Sequence, residues 1–204
     1  MGRVAYAAMK RSLDVALSLG LMIAAAPVLA LVAALIKLED GGPVLYWQLR
    51  VGKHGRTFRF PKFRSMVLDA EAKLVVIRAL NQHGDGVTFK MKNDPRVTCI
   101  GRFLRRFSLD ELPQLWCVFR GQMSLVGPRP ALPREVERYS IAERRRLDVV
   151  PGLTCIWQVS GRSNLPFPVQ CQLDSEYIER QSIGTDLAIL AATAPAVVSG
   201  KGAY

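Results

Sequence analysis

Residues that build disulfide frameworks and zinc sites are scarce in this sequence. Four cysteines and two histidines occur among 204 residues, and none of them stands in a Cys-x-x-Cys or Cys/His spacing. They are Cys99, Cys117, Cys155, Cys171, His54 and His83. The spacing argues against a zinc centre, and we predict reduced thiols packed in the core of a cytoplasmic domain.

Acidic residues are also in the minority. The chain has 17 Asp and Glu against 28 Lys and Arg, a formal net charge of +11. Such a balance suits an anionic membrane surface, a phosphorylated lipid or a nucleic acid. No helix-turn-helix pattern, heptad run or ribonucleoprotein motif is present, and the N-terminal region is strongly apolar. These absences disfavour nucleic acid as the partner.

Charge is nearly missing from residues 13 to 36, which are apolar apart from Asp14 and Ser18 and are interrupted by Gly20 and Pro27. As one helix this stretch would reach ~36 Å, enough for a hydrocarbon core of ~30 Å. A signal peptide fits less well, because the apolar run is long and has no small-x-small cleavage site. Proline near the middle also permits a helix that breaks and returns to the same membrane face. Both topologies stay open on the residues alone.

Two short extended runs follow Gly41-Gly42-Pro43 and flank Lys53-His54-Gly55, which predicts a β-hairpin. Basic residues crowd this hairpin, and we interpret most of them as a solvated or headgroup-facing surface. They are Arg50, Lys53, Arg56, Arg59, Lys62 and Arg64.

Helical spacing predicts further helices over residues 66–83, 168–181 and 186–200. Asp94 precedes a proline, so we interpret it as a turn former and not as a catalytic acid. The consecutive basic residues 144–146 are predicted to form a solvated face or a leaflet contact.

The adjacent carboxylates Asp110 and Glu111 begin a helical pattern that ends at Gly121. Ser108 and Glu111 have the spacing of a capping box, whereas Asp110 as the cap would better accommodate Pro113. Either register puts Asp110 in the first turn. The simplest reading of the two acids is that they cap the helix and complement its dipole.

Cations on both sides of these acids favour a different role. Arg102, Arg105 and Arg106 precede them, and Arg129 lies between two prolines downstream. A helix N-terminus among cations can bind phosphate. An acid pair in such a place indicates a carboxylate nucleophile for phosphorus, ligands for a hard divalent cation, or both.

Three separate motifs now identify a resemblance. They are PKFRSM, then DPRVTCIGRFLRRFSLDELPQLWCVFRGQMSLVGPRP, then PGLTCIWQVSGR. In this order, and over nearly the whole chain, they resemble the bacterial sugar transferase family of monotopic phosphoglycosyl transferases. The resemblance implies transfer of a sugar 1-phosphate, expected to be a hexose 1-phosphate, from a UDP-sugar to polyprenyl (undecaprenyl) phosphate through a covalent phosphosugar-aspartate, with release of UMP.

The resemblance also assigns roles to residues. Asp110 would be the nucleophile, and Asp110 and Glu111 would hold Mg²⁺, although Glu111 could instead act as a base for the acceptor. Phosphate charge would be neutralised by Lys62 and Arg64 of the KFRSM motif together with Arg105 and Arg129. Gln158 and Arg162 are candidates for the nucleotide or sugar; these eight assignments rest on matching motifs.

The expected fold is α+β, mostly helical with a small β-hairpin. Residues 1–40 would form a re-entrant helix-break-helix of a monotopic membrane protein, and residues 41–204 a cytosolic catalytic domain with interfacial helices, on the cytoplasmic face of the bacterial inner membrane. Membrane lipids are expected partners, nucleic acid is not, and a homo-oligomer stays open. The alternative function is a non-catalytic, membrane-anchored module that binds anionic lipid.

Overall fold

The computed structural model describes residues 2–77, 91, 93–200 and 202. Within these residues the chain is mostly helical and carries two small sheets. The helices are α1 (Arg3–Asp40), α2 (Ala70–Ile77), α3 (Cys99–Arg106), α4 (Leu115–Phe119), α5 (Pro133–Val136), α6 (Ile141–Arg144), α7 (Ile156–Ser160), α8 (Phe167–Glu179) and α9 (Ile183–Ser199). The strands are β1 (Leu45–Val51), β2 (Thr57–Phe63), β3 (Ser124–Val126) and β4 (Gly152–Thr154).

The predicted hairpin is confirmed. Strands β1 and β2 pair antiparallel from Leu45↔Phe63 to Val51↔Thr57 across a 3₁₀ turn at Lys53–Gly55. His54 in that turn has a φ of 57°, in the left-handed region. The predicted helices over 168–181 and 186–200 correspond to α8 and α9, and that over 66–83 to α2 in part, since residues 78–83 lie outside the described residues.

A second sheet was not predicted. Strands β3 and β4 pair in parallel, Ser124 with Gly152 and Val126 with Thr154. A Cβ atom on Gly152 would overlap the backbone of Gly127, and one on Gly127 would overlap the carbonyl of Val150. Each strand has only three residues, too few to show the alternation of apolar and polar side chains that identifies a strand in sequence.

Helix α1 is continuous through Pro27 and is long and apolar enough to cross a membrane, and little of its most apolar stretch is buried. Both of its ends contact the rest of the protein. Near the N-terminus, Arg11 donates to the carbonyls of Val118 and Phe119, at 2.7 and 2.6 Å. Near the C-terminus, Val32 and Ile36 pack in one apolar cluster with Phe63 and Leu104.

Proline can bend a helix without ending it, so continuity at Pro27 is compatible with a bent helix. The re-entrant topology stays a prediction, and so does the division of the chain at residue 40. The main core lies behind the hairpin, where Phe58 and Phe60 pack against α4 and β3.

The predicted burial of the thiols is confirmed for three of the four cysteines. All four cysteines are free, and Cys117, Cys155 and Cys171 are buried, but Cys99 is exposed at the start of α3. Asp94 accepts from the backbone N–H of Arg96 at 3.0 Å and pairs with its guanidinium, which confirms the turn.

Candidate active site

The two acids lie in a 3₁₀ helix, Leu109–Gln114, that leads into α4. Asp110 is in its first turn, as predicted, but the capping box is wrong. Ser108 has a φ of 54° and its side chain caps nothing. Its hydroxyl instead accepts from Arg162 at 3.4 Å. The left-handed backbone at Ser108 turns the hydroxyl away from the helix, and Pro113 lies inside the 3₁₀ helix.

A cavity of about 710 Å³ opens beside this turn. Its wall contains seven of the eight residues that the motifs singled out, drawn from five different parts of the chain. They are Lys62, Arg105, Asp110, Glu111, Arg129, Gln158 and Arg162. The fold thus gathers at one place residues that are up to a hundred positions apart in sequence.

Asp110 is a buried carboxylate, and no hydrogen bond or ion pair to its side chain is found among the described residues. Burial, and then the charge of Glu111, raises the pKa of Asp110 to about 6, while Lys62, Arg105 and Arg129 act in the opposite direction. Near neutral pH the group is therefore largely ionised but weakly solvated. A carboxylate in that state has lone pairs to give to an electrophile.

Glu111 differs from its neighbour because it has a partner. Its Oε1 accepts from Nη2 of Arg129 at 2.9 Å. Burial acts to raise the pKa of Glu111, but the charge and hydrogen bond of Arg129 outweigh it, and the pKa is lowered. Arg129 itself is held in place between Pro128 and Pro130, and the carbonyl of Pro128 accepts from the N–H of Gly152 at 2.8 Å.

Lys62 lies in β2, and Arg105 in α3 is held by Ser65, which follows that strand. The ammonium of Lys62 lies 5.4 Å from the ring centre of Tyr46, its cross-strand partner. Burial, together with the charges of Arg105 and Arg50, lowers the pKa of Lys62 to about 8. Arg105 donates from Nε to Oγ of Ser65 at 2.9 Å, so its terminal nitrogens are left for the cavity.

Arg64 does not line the cavity. Its guanidinium forms two hydrogen bonds with the carboxylate of Asp40, at the end of α1, and lies against Gly42. Because residues alternate along a strand, Lys62 and Arg64 would share a face, but β2 ends at Phe63 and the chain turns there. The structure therefore does not favour the phosphate-binding role predicted for Arg64.

Gln158 lies in α7 and Arg162 in the turn that follows it, and both line the same cavity as the acids. Gln158 accepts a weak hydrogen bond from the thiol of Cys155, Sγ to Oε1 at 3.1 Å. Arg162 has a φ of 52°, and its buried Nη1 has no hydrogen-bond partner among the described residues. An unpaired buried guanidinium nitrogen at a cavity wall suits an anionic or polar ligand.

Two arginines in the cavity wall were misassigned to the surface. Arg50 is buried, donates to the carbonyl of Pro130 at 2.9 Å and lies over the ring of Phe60. In β1 the apolar Trp47 and Leu49 are exposed while Arg50 points inward, the reverse of the usual pattern.

Arg146 is the second misassigned arginine. The prediction of a solvated face is wrong for it, because it is buried and its Nε pairs with Asp174 at 2.8 Å. Nothing in the run of three arginines distinguishes Arg146 from Arg144 and Arg145. Asp174 is an acid in the predicted helix over residues 168–181, and it could have been considered as a partner for one of them.

The acids fit a hard divalent cation better than they fit zinc. No cluster of three or more His, Cys, Asp or Glu with the geometry of a metal site is found in the part of the chain that the structure describes. Mg²⁺, however, is commonly held by one or two carboxylates, with phosphate oxygens of the substrate and water as the other ligands. Asp110 and the free oxygen of Glu111 meet that need.

Comparison with known proteins identifies the family of this chain. The sequence model of the family described as "Bacterial sugar transferase" matches residues 5–200. The chain is 40% identical over 198 residues to the exopolysaccharide production protein ExoY of Rhizobium meliloti, covering 96% of this chain and 88% of that protein. It is 42% identical over 199 residues to the undecaprenyl-phosphate galactose phosphotransferase of Salmonella typhimurium, covering 96% of this chain and 42% of that protein.

A third relative is the undecaprenyl-phosphate glucose phosphotransferase of Komagataeibacter xylinus, 40% identical over 212 residues, with 96% of this chain and 37% of that protein covered. The chain thus spans less than half the length of the two phosphotransferases but most of ExoY. The match extends through the acids, the cavity and α1, and the chain belongs to the bacterial sugar transferase family.

Proposed function

We propose that this protein transfers a hexose 1-phosphate from a UDP-sugar to polyprenyl (undecaprenyl) phosphate and releases UMP. The observation that carries the proposal is Asp110, buried and without a hydrogen bond or ion pair among the described residues, in a cavity that is also lined by Lys62, Arg105 and Arg129. The names of the relatives support a lipid phosphate as the acceptor and galactose or glucose as the sugar. Such a reaction begins the assembly of a glycan on its lipid carrier, as the name of ExoY suggests for an exopolysaccharide.

In the first step, an oxygen of Asp110 attacks the phosphorus that bears the sugar. A bond forms between that oxygen and phosphorus, the bond from phosphorus to the bridging oxygen of the diphosphate breaks, and UMP leaves with the electron pair. The attack brings a carboxylate toward a dianionic diphosphate. Lys62, Arg105 and Arg129 offset that repulsion, and Arg129 also keeps Glu111 in place beside the nucleophile.

In the second step, an oxygen of the lipid phosphate attacks the same phosphorus. The bond to Asp110 breaks, the carboxylate is regenerated, and the product is a lipid diphosphate sugar. No proton transfer is required if the acceptor phosphate is ionised, and Glu111 can accept one if it is not. Gln158 and Arg162, which line the same cavity, are available to the nucleotide or the sugar.

Mg²⁺ bound by Asp110, Glu111 and the diphosphate oxygens would supply further charge neutralisation in this cavity. We expect EDTA to reduce UMP release by at least ~10²-fold and added Mg²⁺ to restore it, since one Lewis acid contributes several kcal/mol. Retention of full activity in chelator, with metal content checked by elemental analysis, would show that Lys62 and the arginines suffice.

The proposal is tested by incubating the full chain, in detergent or nanodiscs, with undecaprenyl phosphate and either UDP-glucose or UDP-galactose. Release of UMP that depends on a UDP-sugar supports transfer, and the faster donor identifies the hexose. The alternative, a non-catalytic module that binds anionic lipid through its basic faces, predicts binding to anionic vesicles and no UMP with any donor.

We also place the protein on the cytoplasmic face of the inner membrane with α1 re-entrant. Nucleotide sugars are cytosolic, and a hairpin bent at Pro27 keeps the basic residues at both ends of α1 inside. Cysteines at Gly2 and at the exposed Arg56, in a Cys99→Ser background, should both resist an impermeant maleimide in intact cells. Labelling at Gly2 alone would indicate a spanning helix. Gly42 is unsuitable as a site, since a side chain there would meet Arg64.

A further inference from the structure

The wall of the 710 Å³ cavity has a charged part and an apolar part. The charged residues of the candidate active site form one part of it. The other part is apolar and is made by α1, the β3/β4 pair and α9. Its members include Leu21, Leu125, Leu153, Leu190, Ala194 and Val197. We name this part the apolar cleft. Such a wall favours an alkyl chain over the hydroxyls and phosphates of a nucleotide sugar, which lose hydrogen bonds to water against apolar side chains.

The cleft lies where α1 and α9 run side by side. Lys10 of α1 pairs with Asp186 of α9 at 2.8 Å, which joins the two helices near their N-terminal ends. A void of about 20 Å³ follows, lined by Leu17 from α1 and Leu187 from α9. Leu190 lines both this void and the large cavity, so the space between the helices continues toward the acids.

The cleft is apolar but not closed. Leu21 is 50% exposed, Ala194 is exposed as well, and Leu187 in the adjoining void is 51% exposed. The two hydroxyls in it satisfy each other: Thr154 and Thr193 are 2.9 Å apart, and Thr193 also donates to the carbonyl of Ile189 at 2.8 Å. No polar ligand is therefore needed there, whereas an alkyl chain would remove exposed leucine from water.

Resting on the proposed function, we propose that the apolar cleft between α1 and α9 binds the first isoprene units of the acceptor, with its phosphate directed at Lys62, Arg105 and Arg129. Two observations select this occupant. The cleft is continuous with a cation-rich phosphate site, and one of its walls is α1, the helix apolar enough to lie in a bilayer. A chain that enters along α1 from the membrane reaches the acids without crossing water.

The test fills the cleft without touching the charged residues. Ala194→Trp places a large ring in it, and Ala188→Trp, on the exposed surface of the same helix and outside the cavity wall, is the matched control. Ala194→Trp should raise the KM for undecaprenyl phosphate at least ~10-fold, equivalent to ~1.4 kcal/mol. UMP release in the absence of acceptor, which reports the first step, should stay within about twofold of the unaltered chain. Ala188→Trp should change neither quantity.

A binding measurement keeps the inference independent of catalysis. With Ala194→Cys in a Cys99→Ser background, undecaprenyl phosphate should slow alkylation of residue 194, measured by peptide mass spectrometry, and should not slow it in Ala188→Cys. Phosphatidic acid at the same concentration should protect less, because its acyl chains differ from isoprene. Equal protection by both lipids, or an equal rise in KM for both tryptophan variants, would overturn the assignment of the cleft to isoprenoid.

The two proposals fail in different ways. If the unaltered chain releases no UMP from any UDP-sugar but undecaprenyl phosphate still protects residue 194, the proposed function is wrong and the cleft is a lipid site. If UMP is released and residue 194 is not protected, the function stands and the inference about the cleft is wrong.

Discussion

Two buried aspartates in this protein have nearly the same pKa and opposite surroundings. Burial raises the pKa of both Asp110 and Asp174 to about 6, with Glu111 adding to the effect at Asp110. Asp174 is fully buried and pairs with Arg146, whose guanidinium also donates to the hydroxyl of Tyr139 at 2.9 Å. Asp110 has no such partner among the described residues and faces a cavity.

The difference shows that a perturbed pKa does not by itself identify a catalytic acid. At Asp174 the nearby guanidinium of Arg146 forms an ion pair with the acid, and this pair joins α8 to the turn at residues 145–147. At Asp110 the nearby cations exceed the acids, and Lys62 and Arg105 keep charge available for a ligand. The surplus of cations around an unpaired acid is the feature that indicates phosphoryl transfer.

The largest effect is expected from Asp110→Asn. Loss of the nucleophile should reduce turnover at least ~10³-fold, or ~4 kcal/mol of barrier. Stability should not fall, because no hydrogen bond or ion pair to Asp110 is found among the described residues, so the change to an amide breaks none of them. UMP release and denaturant unfolding measure the two quantities. A variant that keeps a tenth of the activity would remove Asp110 from the role of nucleophile.

Asp174→Asn should show the opposite pattern. It leaves Arg146 buried without its counter-charge, which costs about 3 kcal/mol of unfolding free energy, while activity per folded molecule is retained. The double variant Arg146→Met with Asp174→Leu should recover most of that loss, because no unpaired charge then remains. If Asp174→Asn instead lowered turnover and left stability unchanged, the contrast between the two acids would be mistaken.

The smallest effect concerns pH. Lys62 has a pKa of about 8, so its charge is present below that pH and is lost as the pH rises through it. Turnover should therefore decline with an alkaline limb near pH 8. Lys62→Arg should move the limb upward by more than one pH unit, since a guanidinium stays charged up to about pH 12. Lys53→Arg, in the exposed hairpin turn, serves as the control. If Lys62→Arg loses activity at the same pH as the unaltered chain, the decline is caused by another group.

Much of the architecture could be predicted from sequence because its signals are local. The hairpin, the apolar helix and the C-terminal helices follow from periodicity and turn residues within about ten positions. Seven of the residues that were chosen from motifs line the wall of one cavity.

What could not be predicted depends on contacts distant in sequence. The parallel pair β3/β4 requires two three-residue segments to meet across 25 intervening residues, and the burial of Arg146 requires Asp174 from another helix. Arg64 shared a motif with Lys62, yet the end of β2 sends it to Asp40. Ser108 matched a capping box by spacing, but its left-handed backbone gives the hydroxyl to Arg162.

The central claim is that Asp110 forms the covalent bond to the phosphosugar, and intact-protein mass spectrometry tests it most directly. The full chain is mixed with Mg²⁺ and its preferred UDP-sugar in the absence of lipid acceptor. We expect a mass increase of one hexose phosphate, located on the peptide that contains Asp110, absent from Asp110→Asn and discharged by undecaprenyl phosphate. The same adduct on Asp110→Asn, or an unchanged protein mass in a sample that transfers the sugar phosphate once acceptor is added, would contradict the account.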